Sequence, residues 1–184
     1  MKTAQEMYDF CKEKKFGEGF NQTWALKHFA LIESALSSDE EAIMCFMGLH
    51  NYISPTKHNE NFAYAITKKR IIMAQKKLVG ETLQSVFLDN VNDVTYKSGM
   101  LFGVITIDTI KETFNVGLAK AMAANINAEI HTLLHELKQK KETPAATPAT
   151  SDPTVELKKY KELLDTGVIT QEDFDKKKAQ LLGL

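Results

Sequence analysis

The sequence has 184 residues, which is enough for one ordinary domain with an appendage or for two small domains, and excludes two large domains. Apolar residues make up 43% and charged residues 26%, which is the balance of a globular chain that forms a hydrophobic core. The formal net charge is −1, so no global positive field attracts nucleic acid or anionic lipid, and any basic site must be local.

The first 38 residues are predicted to be helical. Apolar side chains recur with the spacing of one helix face, first at Ala4, Met7, Tyr8 and Cys11, and then at Ala25, Phe29, Ile32 and Leu36. The segment 16–20, Phe-Gly-Glu-Gly-Phe, separates the two stripes. Ser37-Ser38-Asp39 then carries turn and capping residues, so we end this N-terminal helical segment at residue 38.

Seven short apolar runs separated by turns follow, and they predict β-strands. The runs span residues 42–49, 62–67, 70–75, 82–88, 91–96, 103–109 and 112–116. Lys68-Lys69 is a short polar connection that suits a hairpin between the second and third runs. In the sixth run Ile105 and Ile107 share one face while Thr106 and Asp108 share the other, which is typical of a half-buried antiparallel strand.

Helical spacing returns at Leu118 and predicts a long amphipathic helix that ends in the basic segment 138–141. The segment from Thr143 to Pro153 contains three of the four prolines and no large apolar residue, so we interpret it as a semi-extended linker. These patterns divide the chain into a helical segment, a β domain over residues 39–142, a linker over 143–153 and a final segment over 154–184.

The final segment predicts a hairpin of two short helices. Asp152-Pro153 starts the first helix and Gly167 stops it, while Thr170 and Asp173 form a capping box at the start of the second. Ordering the chain costs roughly 1.5 kcal/mol per residue in conformational entropy. The hairpin has too few large apolar residues to offset this cost by burying them, so it is expected to dock on a partner. The docking residues are predicted to be Leu157, Tyr160, Leu164, Ile169, Phe174 and Leu181.

Two stretches of the sequence resemble known families. Leu-Leu-Asp-Thr-Gly-Val-Ile-Thr at 163–170, followed by Glu172, Phe174, Lys178, Leu181 and Leu182, closely resembles the SHOCT family, the short C-terminal domain of many bacterial and phage proteins. Tyr-Ala-Ile-Thr-Lys-Lys-Arg-Ile-Ile at 64–72, with its Thr-x-x-Arg turn and a closing helix, resembles the bacterial pleckstrin-homology (PH) domains of the YokE-like type. Residues 1–38 lie outside both resemblances.

The resemblances imply an α+β fold. N-terminal helices would precede a PH-like, seven-stranded antiparallel β-sandwich or barrel capped by a helix, and a linker and small helical hairpin would follow. Bacterial PH domains are similar to binding and assembly modules without catalytic residues, and SHOCT domains are implicated in oligomerisation or recruitment.

No catalytic residues, cofactor or metal site are predicted. His131 and His135 have the i, i+4 spacing of zinc ligands, but Thr132 stands where a zincin has its glutamate, so we interpret them as a helix flank. The acidic run 39–41 is interpreted as a solvated turn. Gly17-Glu18-Gly19 is interpreted as a flexible connector, because no strand precedes it and no P-loop lysine follows.

Basic residues around the first strand connections form the one candidate binding site of the β domain. Lys57, Lys68, Lys69 and Arg70 are predicted to contact an anion or a lipid headgroup, as the corresponding region of eukaryotic PH domains does. The alternatives are a solvated sheet edge protected by lysines and, for Arg70, a structural role.

Cys11 and Cys45 are the only cysteines, and each lies in an apolar-periodic stretch, so we predict core thiols in a reducing cytosol. The first ten residues are too polar for the core of a signal peptide, and no apolar run approaches the roughly 18 residues of a membrane span. We therefore expect a cytoplasmic protein.

The leading hypothesis is a non-enzymatic adaptor or oligomeric scaffold of bacterial or prophage origin, whose partner is another protein or a second copy. A peripheral membrane module that binds lipid or phosphate is the first alternative. Nucleic-acid binding is the second, and the charge of residues 155–184 argues against it, because six lysines are matched by six acidic residues.

Overall fold

The structure, a computed structural model, describes residues 1–17, 19–142, 153–165, 168 and 170–182. The helices are α1 (Ala4–Lys14), α2 (Gln22–Ala35), α3 (Lys120–Glu142), α4 (Pro153–Asp165) and α5 (Gln171–Leu182). The strands are β1 (Ala42–His50), β2 (Asn61–Thr67), β3 (Arg70–Lys76), β4 (Glu81–Phe87), β5 (Val91–Ser98), β6 (Phe102–Thr109) and β7 (Thr113–Ala119). All the predicted strands and helices are confirmed, with bounds that differ by a few residues. The chain divides into two compact units, Met1–Gln139 and Lys140–Leu184.

The seven strands of the first unit form one antiparallel sheet in the order β4-β3-β2-β1-β7-β6-β5. β1 pairs with β2 along most of its length, but it pairs with β7 only at Leu49 and His50. The sheet therefore divides into two halves that are joined at one corner, which is the curled architecture expected from the sequence. A 3-10 helix, Leu88–Asn90, leads from edge strand β4 to the opposite edge strand β5.

The inner face of the curled sheet holds the main hydrophobic core. Alternate residues of β6 and β7 face inward, and the apolar stripe of α3 packs against them because its residues recur at helical spacing. Phe46 stacks on Tyr64 with ring centroids 4.7 Å apart. The core includes Phe46, Tyr64, Ile71, Met73, Ile105, Ile107, Val116, Met122, Ile126 and Ile130.

The N-terminal helices cover the outer face of β1, β2 and β3. Met7, Cys11, Phe29 and Ile32 are buried there against Cys45, Ala63, Ala65, Ile72 and Ala74. The alanines leave room for the helices to lie close to the strands. Burial raises the pKa of both cysteine thiols, which confirms the prediction of core thiols. Residues 1–35 are therefore part of the β unit, and β1 to β3 are buried on both faces.

Two glycines allow close contacts at the corner where β1 meets β7. A Cβ at Gly48 would lie 2.5 Å from Cγ1 of Val116, and a Cβ at Gly117 would overlap the ring of Tyr52. Tyr52 also stacks on Phe102, with ring centroids 5.4 Å apart. The loop between β1 and β2 is thereby held against the outer face of β6 and β7.

The second unit contains α4 and α5. The predicted capping box is confirmed, since Thr170 Oγ1 accepts the Asp173 N–H at 3.3 Å and Asp173 Oδ2 accepts the Thr170 N–H at 3.3 Å. Leu157, Tyr160, Leu164 and Phe174 are half-buried. Pro153, the last residue of the predicted linker at 143–153, begins α4. Ile169, the side chain of Leu181 and residues 143–152 of that linker lie outside the described residues, and the docking role of the predicted set stays a prediction.

Candidate functional site

A cleft of about 780 Å³ lies between the start of α2 and the turn that joins β3 to β4. In that turn the Lys77 N–H donates to the Gly80 carbonyl oxygen at 3.1 Å, and Gly80 adopts a φ of 83°, which glycine tolerates without strain. The turn leaves Leu78 and Val79 about nine-tenths exposed, at 92% and 88%. Two apolar side chains thus stand in solvent at the rim of the cleft.

The opposite wall of the cleft is formed by the first turn of α2. Asn21 caps this helix, and its Oδ1 accepts the Trp24 N–H at 3.3 Å, which fixes Trp24 at the helix start. The indole remains 39% exposed, and Lys27 Nζ lies 4.8 Å from its centroid. Phe20, Met47 and Leu49 complete the apolar lining.

His28 and Gln75 provide polar groups at this cleft. The Asn61 carbonyl oxygen accepts hydrogen bonds from His28 Nε2 and from Gln75 Nε2, each at 3.2 Å. Because a carbonyl oxygen only accepts, His28 Nε2 must carry the proton. Burial lowers the pKa of His28, and hydrogen bonding to the backbone of Asn61 and Trp24 opposes this shift. Among the described residues, His28 Nδ1 and Gln75 Oε1 have no hydrogen-bond partner.

The composition of the cleft defines what it is able to bind. An apolar wall favours side chains that leave water. A protein segment supplies such side chains, and they would pack on Trp24, Leu78 and Val79. No catalytic arrangement is needed for such binding.

A second, polar cavity of about 460 Å³ lies beside the first, and Lys77 is the lysine in its lining. On its floor, His50 Nδ1 and the Tyr64 hydroxyl are 2.7 Å apart, and the His50 ring stacks on Phe62. Burial lowers the pKa of His50 to about 4 and raises that of Tyr64, so both groups are neutral at pH 7.

Arg70, one of the predicted anion contacts, makes a structural ion pair. Its Nε and Nη2 donate to the two carboxylate oxygens of Glu40 at 3.0 and 2.7 Å, and Nη2 also donates to the Ala35 carbonyl oxygen. The Thr67 hydroxyl donates to Glu40 Oε1 at 2.8 Å. Hydrogen bonding to Arg70 lowers the pKa of Glu40 to about 2. The interpretation of Glu40 as part of a solvated turn is therefore wrong, because this carboxylate is 3% exposed.

The three predicted lysines, Lys57, Lys68 and Lys69, lie at opposite ends of β2. Lys68 and Lys69 lie in the turn between β2 and β3, whereas Lys57 lies in the loop before β2, at the other end of that strand. Lys69 Nζ is 2.7 Å from Asp39 Oδ2. An anion or lipid contact at these residues stays a prediction, but the four residues do not surround one site.

The histidine pair with the spacing of zinc ligands, His131 and His135, lines neither of the two cavities. His131 and His135 are exposed on α3, and no group of three or more His, Cys, Asp or Glu in the described part of the chain is arranged to hold a metal ion. No described helix is long and apolar enough to cross a bilayer.

Trp24, His28 and Gln75 were not predicted from the sequence as cleft residues. His28 lies on the apolar face of α2 with Ala25 and Ile32, and Gln75 is a buried polar residue directly after the apolar run of β3. A polar residue inside a buried face is the available signal, but the sequence does not show that both residues reach one carbonyl oxygen.

Two family models match parts of this chain. Residues 36–132 match the family model described as Bacterial PH domain, and residues 156–182 match the one described as Short C-terminal domain. A solved structure titled Vps36 N-terminal PH domain is 18% identical, with a TM-score of 0.44, over 56% of this chain and 86% of that chain. No curated protein sequence matches significantly. Since the first family match spans more than half of the sequence, the chain belongs to the bacterial PH domain family, and a Short C-terminal domain follows.

Proposed function

We propose that this protein is a non-enzymatic interaction and assembly module whose β unit binds a protein segment in the cleft beside Trp24. The observation that carries this proposal is the composition of the cleft, with exposed Leu78 and Val79 at its rim and the partly exposed indole of Trp24 on the opposite wall. An exposed apolar patch with a polar surround is typical of a protein interface.

The family relationships support the same reading. PH domains generally mediate protein or lipid interactions, and PH and SHOCT families are generally non-enzymatic. Groups with strongly shifted pKa values often mark catalytic sites. In the β unit, His50 and Glu40 have such pKa values, but they form structural hydrogen bonds with Tyr64 and Arg70, which supports a non-enzymatic role.

The C-terminal hairpin supplies a second contact in this proposal. The Pro-, Ala- and Thr-rich sequence of residues 143–153 is predicted to act as a tether. A tether raises the effective concentration of the second binding event, so two weak contacts combine into a useful affinity. The half-buried residues Leu157, Tyr160, Leu164 and Phe174 are the described part of the predicted docking set.

The experiment that tests self-assembly is light scattering coupled to size exclusion, on the full chain and on a chain that ends at Lys141. The shortened chain retains the β unit with both hydrophobic clusters. A defined oligomer for the full chain and a monomer for the shortened chain would make the hairpin the assembly element. Monomers in both cases would contradict self-assembly and leave a foreign protein as the partner.

The cleft itself is tested by the double variant Leu78→Ser, Val79→Ser. We expect it to weaken the complex with an isolated protein partner, while the circular dichroism spectrum is retained. Met100→Ser is the matched control, because Met100 is 93% exposed in a different turn, between β5 and β6. Equal effects of both variants would contradict a role for the cleft.

A lipid surface is a second candidate partner, and one observation favours it. Leu78 and Val79 project at a turn tip directly after Lys76 and Lys77, which is a combination suited to an anionic bilayer interface. Co-sedimentation with vesicles that contain anionic lipid, weakened by salt and by the double serine variant, would support this candidate. Absence of co-sedimentation at low salt would remove it.

A further inference from the structure

β4 is an edge strand whose outer side is open. It pairs with β3 from Glu81 to Phe87 without a register shift, and no strand among the described residues lies on its other side. The Leu88 N–H donates to the Lys69 carbonyl oxygen, so the alternating ladder turns the backbone groups of residues 82, 84 and 86 towards β3. The N–H and C=O groups of Leu83, Ser85 and Phe87 therefore point away from the sheet.

β4 also lacks the features that protect natural sheet edges. Between Thr82 and Leu88 it contains no charged residue, proline or bulge. The other edge strand, β5, has such protection. Its register shifts between Val91 and Asp93, and it carries two charged residues, Asp93 and Lys97. Of the two opposite edges of this sheet, the β4 edge is therefore the one suited to receive a further strand.

The side chains of β4 are arranged symmetrically about Ser85. Leu83 and Phe87 lie on the outer face of the sheet, in register with Ala74 and Arg70 of β3, and they are 48% and 58% exposed. An antiparallel partner copy with its two-fold axis at Ser85 would place each Leu83 opposite the Phe87 of the other copy. Such cross-strand apolar pairs stabilise a sheet.

Charges lie only at the ends of the strand. In this register Glu81 would lie near Asp89 of the other copy. Lys76 Nζ is 2.8 Å from Glu81 Oε2 and supplies a positive charge at that end. The centre of the paired strands stays free of like charges, which is what a self-complementary, two-fold interface requires.

We propose that two copies of this chain pair through β4, antiparallel and centred on Ser85, to form one continuous sheet. This inference rests on the proposed assembly function and names its surface. A single strand pair buries less area than a standard interface, so the dimer is expected to dissociate on dilution.

The first test is sedimentation of the full chain over a wide concentration range. Leu83→Lys is expected to raise the dimer dissociation constant by about tenfold or more, because it removes both apolar cross-strand pairs at once. Ser85→Pro is expected to abolish the dimer, since it removes an N–H that points away from β3 and leaves the internal ladder intact. Leu101→Lys, at a 75% exposed position in another turn, is the control and should change nothing.

The register is tested by a charge exchange. Leu83→Lys and Phe87→Glu are each expected to weaken the dimer, and the double variant is expected to restore it, because each new lysine then faces a new carboxylate of the other copy. Circular dichroism and urea unfolding establish that every variant is folded. Failure of the double variant to recover any affinity would overturn pairing centred on Ser85.

Two other outcomes separate this inference from the proposed function. A dimer that resists both Leu83→Lys and Ser85→Pro but is lost in Leu78→Ser, Val79→Ser would overturn pairing through β4 and support the cleft. A full chain that stays monomeric at every concentration would overturn the β4 dimer, while binding of a foreign protein in the cleft is measured separately.

Discussion

Arg70 shows how the chemistry of one residue depends on a distant part of the chain. The Thr-x-x-Arg spacing is visible in the sequence, and Thr67 Oγ1 indeed accepts the Arg70 N–H at 3.0 Å in the turn. The sequence does not show that Glu40, 30 residues earlier, lies against the guanidinium. An arginine that resembles an anion ligand is instead saturated by a buried carboxylate.

We expect Arg70→Ala to lower the free energy of unfolding by about 3–5 kcal/mol, because it leaves the Glu40 carboxylate buried without its partner. Urea denaturation monitored by circular dichroism measures this loss. Lys68→Ala, at an exposed lysine in the same turn, is the control and should stay within about 0.5 kcal/mol. A loss below about 1 kcal/mol for Arg70→Ala would contradict a structural ion pair.

His50 is expected to make stability depend on pH. Its pKa is about 4 in the folded chain and 6.5 ordinarily, so the unfolded chain takes up the proton first as the pH falls. The contribution is complete above pH 6.5, and the free energy of unfolding decreases by about 1–3 kcal/mol as the pH falls towards 4. Urea unfolding at several pH values measures this slope.

The double variant His50→Phe, Tyr64→Phe is the control for this titration, because it removes the titrating ring together with its hydrogen-bond partner. Its stability should depend less on pH between 6.5 and 4 than that of the wild type. An identical slope in both proteins would assign the pH dependence to other groups.

At the scale of elements, the corner between β1 and β7 depends on glycine at position 117, because Tyr52 packs where a side chain would lie. Gly117→Ala is expected to displace Tyr52 and to cost about 1–3 kcal/mol, since the new methyl group overlaps the ring. Displacement would loosen the loop between β1 and β2, so trypsin should cleave faster at Lys57. Gly17→Ala is the control, because a Cβ there makes only ordinary contacts. Unchanged cleavage would show that Tyr52 does not hold this loop.

The elements were predictable from sequence because their signals are local. Strand period, helix period and capping residues each depend on a few neighbouring positions, so all seven strands and the capping box at Thr170 were predicted. The cleft was not predictable, since Trp24, His28 and Gln75 meet only after α2 docks on the sheet. The predicted basic site also depended on long-range structure. Lys57 and Lys68 are close in sequence and were therefore assigned to one site, but β2 separates them in the fold.

At the scale of the molecule, the folded β unit extends beyond the family match. The match begins at residue 36, whereas α1 and α2 bury the outer face of β1 to β3. A chain that lacks residues 1–35 would expose Cys45, Met47 and Ile72. We expect it to bind a hydrophobic dye and to lose cooperative thermal unfolding. A chain that ends at Lys141 is the control, and a soluble, cooperatively folded deletion would contradict this role of the helices.

The central position of β2 has a consequence for hydrogen exchange. β2 has a hydrogen-bonded strand on each side, and from Phe62 to Thr67 its residues are buried. Water reaches the amides of β2 only when the whole unit unfolds. In the edge strand β4, amides that point away from β3 are accessible to water in the folded unit. Exchange at β2 therefore reports the global free energy of unfolding, and exchange at Leu83, Ser85 and Phe87 reports local access at the open edge.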